Sequence, residues 1–443
     1  MSIRILRAVG LSLVIILLGF GSWAKSSIAN GQATHRTSYK FDFGPGKVAS
    51  GHIQVLADQI YTKERGYGFE PGAKVSCLDR GTVNPLRSDF CSSDKPFFFS
   101  VALPEGNYLV TVTLGDAQGE STTTIKAELR RLVLEREQTP PGKFVTRSFV
   151  VNVRTPKISG GSEVRLKDRE KTMELWAWDE KLTLEFNNAR PAIAALTITR
   201  IENMPTVYLL GDSTVCDQPR EPYSSWGQML TRFFKPGVAV ANHAESGESL
   251  RSSLSARRLE KVLSLMKPGD YLFIQFGHND EKEKGEGVGA FTTYKSDLKR
   301  FVDGARRKGG IPVLVTPVQR RTFDDNGKIT NSHGDYPDAV RQLAAEEKVA
   351  LIDLHAMSTM FYEALGPEKS KLAFKDGDGT HHNNYGSYEV AKCVVVGIRG
   401  AKLGLAKYLK LDVAPFDPGK PDALESFKLP PSPETSTIKP LGS

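Results

Sequence analysis

An all-β sandwich followed by an α/β domain on a doubly wound, five-stranded parallel sheet is the fold class this sequence predicts. Three observations carry that prediction. The chain has 443 residues, beyond the ~250–300 at which one hydrophobic core stops growing, so two domains are expected. From about Tyr39 to Asn203 apolar residues alternate with polar ones, with Gly, Pro and Asp between the runs. After Pro205 the pattern becomes strand, loop and helix in repetition.

The chain opens with Arg4 and Arg7 ahead of an apolar run from Ala8 to Phe20, then small residues at Ser22, Ala24, Ser27 and Ala29. A charged start, a short apolar stretch and small residues before a cut describe a secretory signal peptide over residues 1–29. The run is shorter than the ~20 residues that span a bilayer, and an uncleaved anchor is the competing reading. The expectation is a secreted or periplasmic protein with no stable membrane association after cleavage.

The sandwich is expected over residues 36–203. Tyr108–Leu114, Phe149–Arg154, Lys181–Phe186 and Ala194–Arg200 alternate with period two and are rich in β-branched residues, the pattern of half-buried strands. No helix is expected among them. Cys77 and Cys91 lie fourteen apart in one loop-rich stretch, and export would permit a bridge between them. Cys216 and Cys393 read as buried free thiols, and no Cys/His metal spacing occurs.

The second domain is expected over residues 205–410. Its strands are Val207–Leu210, Val238–Val240, Tyr271–Phe276, Ile311–Thr316 and Val349–Asp353. Helices are expected over Trp226–Phe234, Leu250–Met266, Tyr294–Arg307, Pro337–Glu347 and Tyr385–Leu409. Residues 411–443, rich in Pro, Ser and Lys, read as a surface or disordered tail. Ligands of doubly wound sheets bind beyond the carboxyl ends of the strands. Four segments fall at such strand or helix edges: Gly211-Asp-Ser-Thr214, Asn242–Ser249, Gly277-His-Asn-Asp280 and Asp378-Gly-Thr-His381. Singly each is ordinary loop chemistry; in this order they are hard to explain as turns.

Together these blocks resemble the SGNH (GDSL-like) hydrolase superfamily, whose fold is flavodoxin-like. Within it, Gly211–Val215, Ser246–Arg251 and Asp378–His381 look like the rhamnogalacturonan acetylesterases, which also carry Thr at the place of Thr214. The resemblance implies Ser213 as nucleophile, Asp378 and His381 as acid and base, and Ser213, Gly247 and Asn279 as oxyanion-hole donors. The physical chemistry agrees. A serine hydroxyl needs an imidazole to take its proton, and that imidazole needs a carboxylate on its far nitrogen. His382 is adjacent, but the three-residue spacing from Asp378 favours His381. An Asp-x-x-His-His cluster as a metal site is the alternative; no third ligand is positioned by sequence, so no metal or other cofactor is expected. Asp212 is expected to support the loop after the first strand and Asp280 to brace Asn279, while His243, His278 and His333 read as loop or supporting residues. Trp226 falls in a helical apolar pattern and reads as core.

Phe41–Gly46, Gly66–Phe69 and Leu103–Tyr108 are similar to the galactose-binding-like sandwich ahead of some bacterial esterases of this type. The implied function is removal of acetyl groups from an acetylated pectic polysaccharide. Acetylxylan or pectin methyl esters are the rival substrates, a non-catalytic carbohydrate-binding protein is the rival class, and acetyl transfer would use the same chemistry. The net charge of +8 permits an acidic partner without naming one: nucleic acid, anionic lipid or a polyuronate would all fit. Arg251, Arg320 and Arg321 lie beyond strand ends and are candidates for a uronate carboxylate. Nucleic acid is not expected, since no dense basic block or zinc-finger spacing is present.

Overall fold

The computed structural model describes residues 36–434; the signal peptide expected over residues 1–29 lies outside them. Fourteen strands come first: β1 (Ser38–Phe43), β2 (Ile53–Val55), β3 (Tyr67–Phe69), β4 (Ser76–Asp79), β5 (Asp89–Ser92), β6 (Phe97–Ala102) and β7 (Gly106–Gly115), followed by seven more. These are β8 (Ser121–Ala127), β9 (Arg131–Thr139), β10 (Phe144–Val153), β11 (Lys157–Ile158), β12 (Ser162–Glu163), β13 (Lys181–Asn187) and β14 (Ala192–Arg200). One sheet runs β10-β7-β14-β1-β2, with β5 joined to β14 and β4 to β5; the facing sheet runs β3-β6-β13-β8-β9. The alternating residues of the two inner faces meet in an aromatic core of Phe41, Phe43, Phe69, Phe97, Phe99 and Phe186. Emptying one such ring position costs ~3–5 kcal/mol. Cys77 and Cys91 face each other across β4 and β5 and are joined by a disulfide.

A short helix, α1 (Asp168–Thr172), interrupts the sandwich between β12 and β13, contrary to the helix-free reading. It has no apolar stripe to announce it; its ends are set by polar contacts, with the Glu170 carboxylate accepting from the Lys167 N–H at 2.8 Å.

The second sheet system is parallel, with strands β15 (Thr206–Gly211), β16 (Ala239–Asn242), β17 (Tyr271–Gln275), β18 (Ile311–Val315) and β19 (Ala350–Ile352). Their order is β16-β15-β17-β18-β19, so the chain reverses direction across the sheet beside β15. Along β15, Val207 and Leu209 join one core while Tyr208 and Leu210 join the other, because helices cover both faces. One face is covered by α2 (Trp226–Leu230), α7 (Leu354–Lys369) and α8 (Asn384–Gly400). The other carries α3 (Leu250–Ser255), α4 (Arg258–Leu265), α5 (Lys295–Arg307) and α6 (Tyr336–Glu347).

Three helical expectations are corrected. The single helix expected over Leu250–Met266 is two, because Arg257 between them takes a left-handed conformation with φ of 65°. Helix α7 was not expected: Gly366 and Pro367 break its pattern, and Gly366 indeed leaves helical geometry there. The last helix ends at Gly400, and a separate turn covers Gly404–Tyr408.

The two sheet systems share one compact unit that begins at Arg36. Leu132, from the start of β9, sits in the core beneath the parallel sheet. Its carbonyl accepts the Thr231 hydroxyl at 2.6 Å, and the Leu129 carbonyl accepts the Gln228 amide at 2.7 Å.

The described part of the C-terminal segment is docked rather than trailing. Lys126 donates to the Pro430 carbonyl at 2.9 Å and the Ser432 hydroxyl at 2.7 Å; the Ser432 N–H donates to Glu221 at 2.8 Å. Asn187 donates to the Pro431 carbonyl at 2.9 Å. The segment lacks periodicity because it is an extended strap: Phe427 and Leu429 pack singly against the core beneath the parallel sheet, while Pro430, Pro431 and Ser432 are held through backbone groups and the Ser432 hydroxyl. Burial pushes the Lys126 ammonium below its usual pKa despite Glu185 and Glu221 nearby, so the loss of its carbonyl and hydroxyl partners is costly. A chain ending at Leu429 should therefore be less stable by ~2–4 kcal/mol. Urea denaturation would measure this; an unchanged midpoint would mean the strap contributes nothing to the fold.

Candidate active site

Strand β15 delivers Gly211-Asp-Ser-Thr214 to the carboxyl edge of the sheet, where the strand order reverses. A Cβ on Gly211 would lie 2.6 Å from both the Gln275 carbonyl oxygen and Val215 Cγ2, so only glycine fits at the strand end. The chain then turns: the N–H groups of Val215 and Cys216 both donate to the Asp212 carbonyl at 3.0 Å. This holds the Ser213 side chain at the strand tip. Asp212 supports the turn as expected, its Oδ1 accepting the Thr214 N–H at 2.9 Å and the Thr214 hydroxyl at 2.8 Å. Thr214 in turn accepts from Gln275 at 2.6 Å, and Gln275 accepts from the indole of Trp226 at 2.8 Å. The hydroxyl of Thr214 thus completes a buried polar chain that an apolar residue would leave open.

The fourth block brings the remaining groups. His381 Nε2 lies 2.9 Å from Ser213 Oγ, and His381 Nδ1 lies 3.0 Å from Asp378 Oδ2. Asp378 Oδ1 accepts the N–H groups of Thr380 at 2.8 Å and His381 at 3.1 Å, which closes the turn that makes the three-residue spacing work. Burial alone would raise the Asp378 pKa, but its bonds to His381 and the two N–H groups hold it well below the usual carboxylate range. Ser213, Asp378 and His381 are all buried, and the Tyr223 ring stands edge-on to His381 with centroids 6.0 Å apart.

Gly247 has φ of 76°, in the left-handed region that favours glycine. Asn279 is held by its side-chain amide, which donates to the Glu248 carbonyl at 3.0 Å. The expected brace from Asp280 is corrected: Asp280 Oδ1 accepts the Leu250 N–H at 2.9 Å and so anchors the start of α3. His278 donates from Nδ1 to the Asp212 carboxylate at 3.1 Å, and burial lowers its pKa to about 4. His382 pairs with the Tyr362 hydroxyl at 2.7 Å, away from Ser213, and burial lowers its pKa to about 3. His333 joins Glu281 at 2.7 Å and the Val318 carbonyl at 3.0 Å. Trp226 is fully buried core, and Cys216 and Cys393 are buried free thiols.

The three arginines diverge. Arg320 is already neutralised by Glu281 and also reaches the Ser332 hydroxyl at 3.3 Å, so its expected role toward a substrate gives way to an internal ion pair. Arg251 is half exposed and pairs with Glu283 at 3.3 Å. Arg321 donates to the Pro367 carbonyl at 3.1 Å, while its N–H donates to the Gly379 carbonyl at 2.7 Å beside Asp378. Among the described residues, one carboxylate trio could hold a cation: Glu170, Glu174 and Glu245. Guanidiniums already face it, Arg258 on Glu170 at 2.6 Å and Arg169 on Glu174 at 2.5 Å.

Residues of the sandwich that sequence reading did not single out also reach this region. Arg130 donates to the carbonyls of Gln218 at 3.1 Å and Tyr223 at 2.7 Å and pairs with Glu221 at 2.6 Å. Arg131 pairs with Asp217 at 2.8 Å, and Gln218 donates to the Ser213 carbonyl at 2.8 Å. Lys167 donates to the Ser246 carbonyl at 2.5 Å. Isolated basic residues more than forty positions from the motifs carry no local signal of such contacts.

A hydroxyl, an imidazole and a carboxylate in line at the edge of a parallel sheet define the hydrolase class of site. Residues 209–387 match the GDSL-like lipase/acylhydrolase family. Residues 39–133 match the galactose-binding-like domain of the β-agarase/YXIM esterase type. A relative from Bacillus subtilis (strain 168), the rhamnogalacturonan acetylesterase RhgT, is 44% identical over 218 residues, which is 46% of this chain and 93% of the relative. The uncharacterized esterase YxiM of the same organism is 29% identical over 398 residues, covering 86% of this chain and 94% of the relative. The crystal structure of YxiM aligns at 27% identity with a TM-score of 0.45, covering 83% of this chain and 99% of that one. The chain belongs to the GDSL-like lipase/acylhydrolase family and is an esterase, with a galactose-binding-like domain at its N-terminal end.

Burial pushes the Asp280 carboxyl up to about 8, with nearby Asp212 and Glu283 adding to the rise. A carboxyl whose folded pKa exceeds its unfolded value of ~3.9 binds more protons when folded, so its stabilising contribution falls as pH rises from about 4 to 8. Asp280→Asn keeps the acceptor for Leu250 and removes the charge. Its stability relative to wild type should be near equal at pH 4 and should increase steadily toward pH 8 in denaturant titrations. A difference that stays constant across that window would refute the raised pKa.

Proposed function

We propose that this esterase is exported and removes O-acetyl groups from rhamnogalacturonan through Ser213, His381 and Asp378. The observation that carries the mechanism is the contact of His381 Nε2 with Ser213 Oγ at 2.9 Å, backed by Asp378 at 3.0 Å. In this reading His381 takes the hydroxyl proton as Ser213 Oγ attacks the acetyl carbonyl, and the negative oxygen is met by the N–H groups of Ser213 and Gly247 and the Asn279 amide. His381 then returns the proton to the departing sugar oxygen, leaving an acetyl-serine. Water, deprotonated by His381, releases acetate and restores the hydroxyl. Asp378, ionised throughout by its low pKa, stabilises the imidazolium formed in each half. The substrate follows the relative that carries the name rhamnogalacturonan acetylesterase. Export is supported by the leader-like start and by the Cys77–Cys91 disulfide, which persists in oxidising compartments.

Ser213→Ala should lose at least ~10³-fold in turnover with its fold intact, as removal of a triad nucleophile does. Acetate release from acetylated rhamnogalacturonan oligosaccharides should exceed that from acetylated xylan. A fully active Ser213→Ala would reject the mechanism, and a preference for xylan would reject the substrate.

Arg251, exposed, and Arg321, partly buried, give a separate test. Arg251→Ala and Arg321→Ala should lower kcat/KM on the uronate-containing oligosaccharide by ~1–3 kcal/mol, the worth of a charge-assisted hydrogen bond, and leave a neutral aryl acetate unaffected. Rising salt should reproduce the same selective loss in the wild type. Equal losses on both substrates would assign these arginines to the fold instead.

A further inference from the structure

Gly247 is one of the oxyanion donors in the mechanism above, and its N–H shares a peptide unit with the Ser246 carbonyl. A peptide is planar and trans, so the carbonyl oxygen and the N–H point in opposite directions from the same rigid plate. The Ser246 carbonyl accepts the Lys167 ammonium at 2.5 Å. We propose that Lys167, contributed by the sandwich half of the chain, is a positioning residue for the oxyanion hole: it grips one end of the Ser246–Gly247 peptide so that the other end presents the Gly247 N–H to the developing negative charge. The inference rests on the reading of Ser213 and Gly247 given above.

Two physical effects follow from this grip. Gly247 is at φ 76°, a region glycine enters and leaves easily, so without a restraint the peptide can rotate and turn its N–H away. A cation on the carbonyl fixes the orientation of the plate. It also draws electron density toward the oxygen, which makes the N–H at the far end a stronger donor, the cooperative polarisation of hydrogen bonds in series.

Lys167 is itself held in place. Its N–H donates to Glu170 at 2.8 Å, and Glu170 is clamped by both terminal nitrogens of Arg258 from α4, at 3.0 and 2.6 Å. One step earlier, the Arg165 N–H donates to the Ala256 carbonyl at 3.0 Å. The ammonium also pairs with Glu248 at 2.9 Å, on the far side of Gly247. The Lys167 side chain is 28% exposed while that of Glu248 is buried, so the cation links the rim of the site to its interior.

The test uses the full chain and a small neutral substrate, an aryl acetate, so that polymer binding plays no part. Lys167→Met should lower kcat by about 10-fold or more, less than the ~10²–10³-fold lost when an oxyanion donor is deleted outright, with KM little changed. A trifluoromethyl ketone, which forms a tetrahedral oxyanion adduct with the serine, should bind more weakly by the same factor. Lys167→Gln, which keeps a donor without the charge, should fall between wild type and Lys167→Met. It serves as the main readout if the methionine variant melts early. Because Lys167→Met removes one of the two cations that face Glu248, the double variant Lys167→Met/Glu248→Gln is measured alongside it. A loss that persists in the double variant supports the carbonyl contact, while recovery to wild-type turnover would trace the effect to the under-compensated carboxylate and overturn the inference. So would a change confined to KM. Ser213→Ala separates the two levels: if it is inactive while Lys167→Met turns over normally, only the role of Lys167 fails. If Ser213→Ala is active, the mechanism beneath it fails.

Discussion

The site depends on burying arginines that cannot be left without partners. Arg130 and Arg131 enter the junction from the turn between β8 and β9, and both are nearly inaccessible to solvent. A guanidinium taken out of water costs several kcal/mol unless carboxylates and carbonyls replace its hydration. The replacements are the carboxylates of Glu221 and Asp217 and the carbonyls of Gln218 and Tyr223. All four residues belong to the loop that follows Ser213. Closing the junction and ordering that loop are therefore one event, since the loop cannot move without stranding two buried charges.

The same requirement reaches further along the chain. Glu221, having one face toward Arg130, accepts from Asn384 at the start of α8 and from the Ser432 N–H of the strap. Asp217 is also held by Asn242 at the end of β16, at 2.8 Å. The loop after β15, the loop after β16, helix α8 and the C-terminal strap are thereby tied to one polar centre. Its backbone shows strain that only such over-determination sustains: Glu128 and Arg130 both have positive φ, 54° and 61°, without being glycine.

What sequence reading could reach and what it could not divide along physical lines. The parallel strands were legible because both of their faces are covered, giving unbroken apolar runs such as Tyr271–Phe276. The Ser213, Asn279 and His381 blocks were legible because each lies within a few residues of a strand or helix end. The break at Arg257 was not, since the apolar spacing continues across it and only a left-handed residue marks the stop. Helix α7 was hidden by a glycine and a proline inside its span. The strap was hidden because its polar partners, Lys126 and Glu185, lie 306 and 247 residues from Ser432, and its partly buried apolar residues, Phe427 and Leu429, are isolated rather than a stripe. Arg130, Arg131 and Lys167 were invisible for the same reason: a charged side chain reveals its partner only once the fold has brought it there.

Charge balance beneath the Gly247 loop shows how the two halves divide the work. Three cations gather there, Lys167, Arg169 and Arg258, against four carboxyls, Glu170, Glu174, Glu245 and Glu248. Burial and the neighbouring Glu174 and Glu170 raise the Glu245 pKa well above its usual value, which lessens the negative charge the four carboxyls carry together. Offsetting that charge matters because an esterase develops negative charge on the substrate oxygen, and an uncompensated carboxylate in a buried, weakly screened region would oppose it. Two of the three cations, Lys167 and Arg169, come from the sandwich. The parallel sheet supplies the hydroxyl, imidazole and carboxylate, and the sandwich supplies much of the positive charge that faces the carboxyls beneath the Gly247 loop.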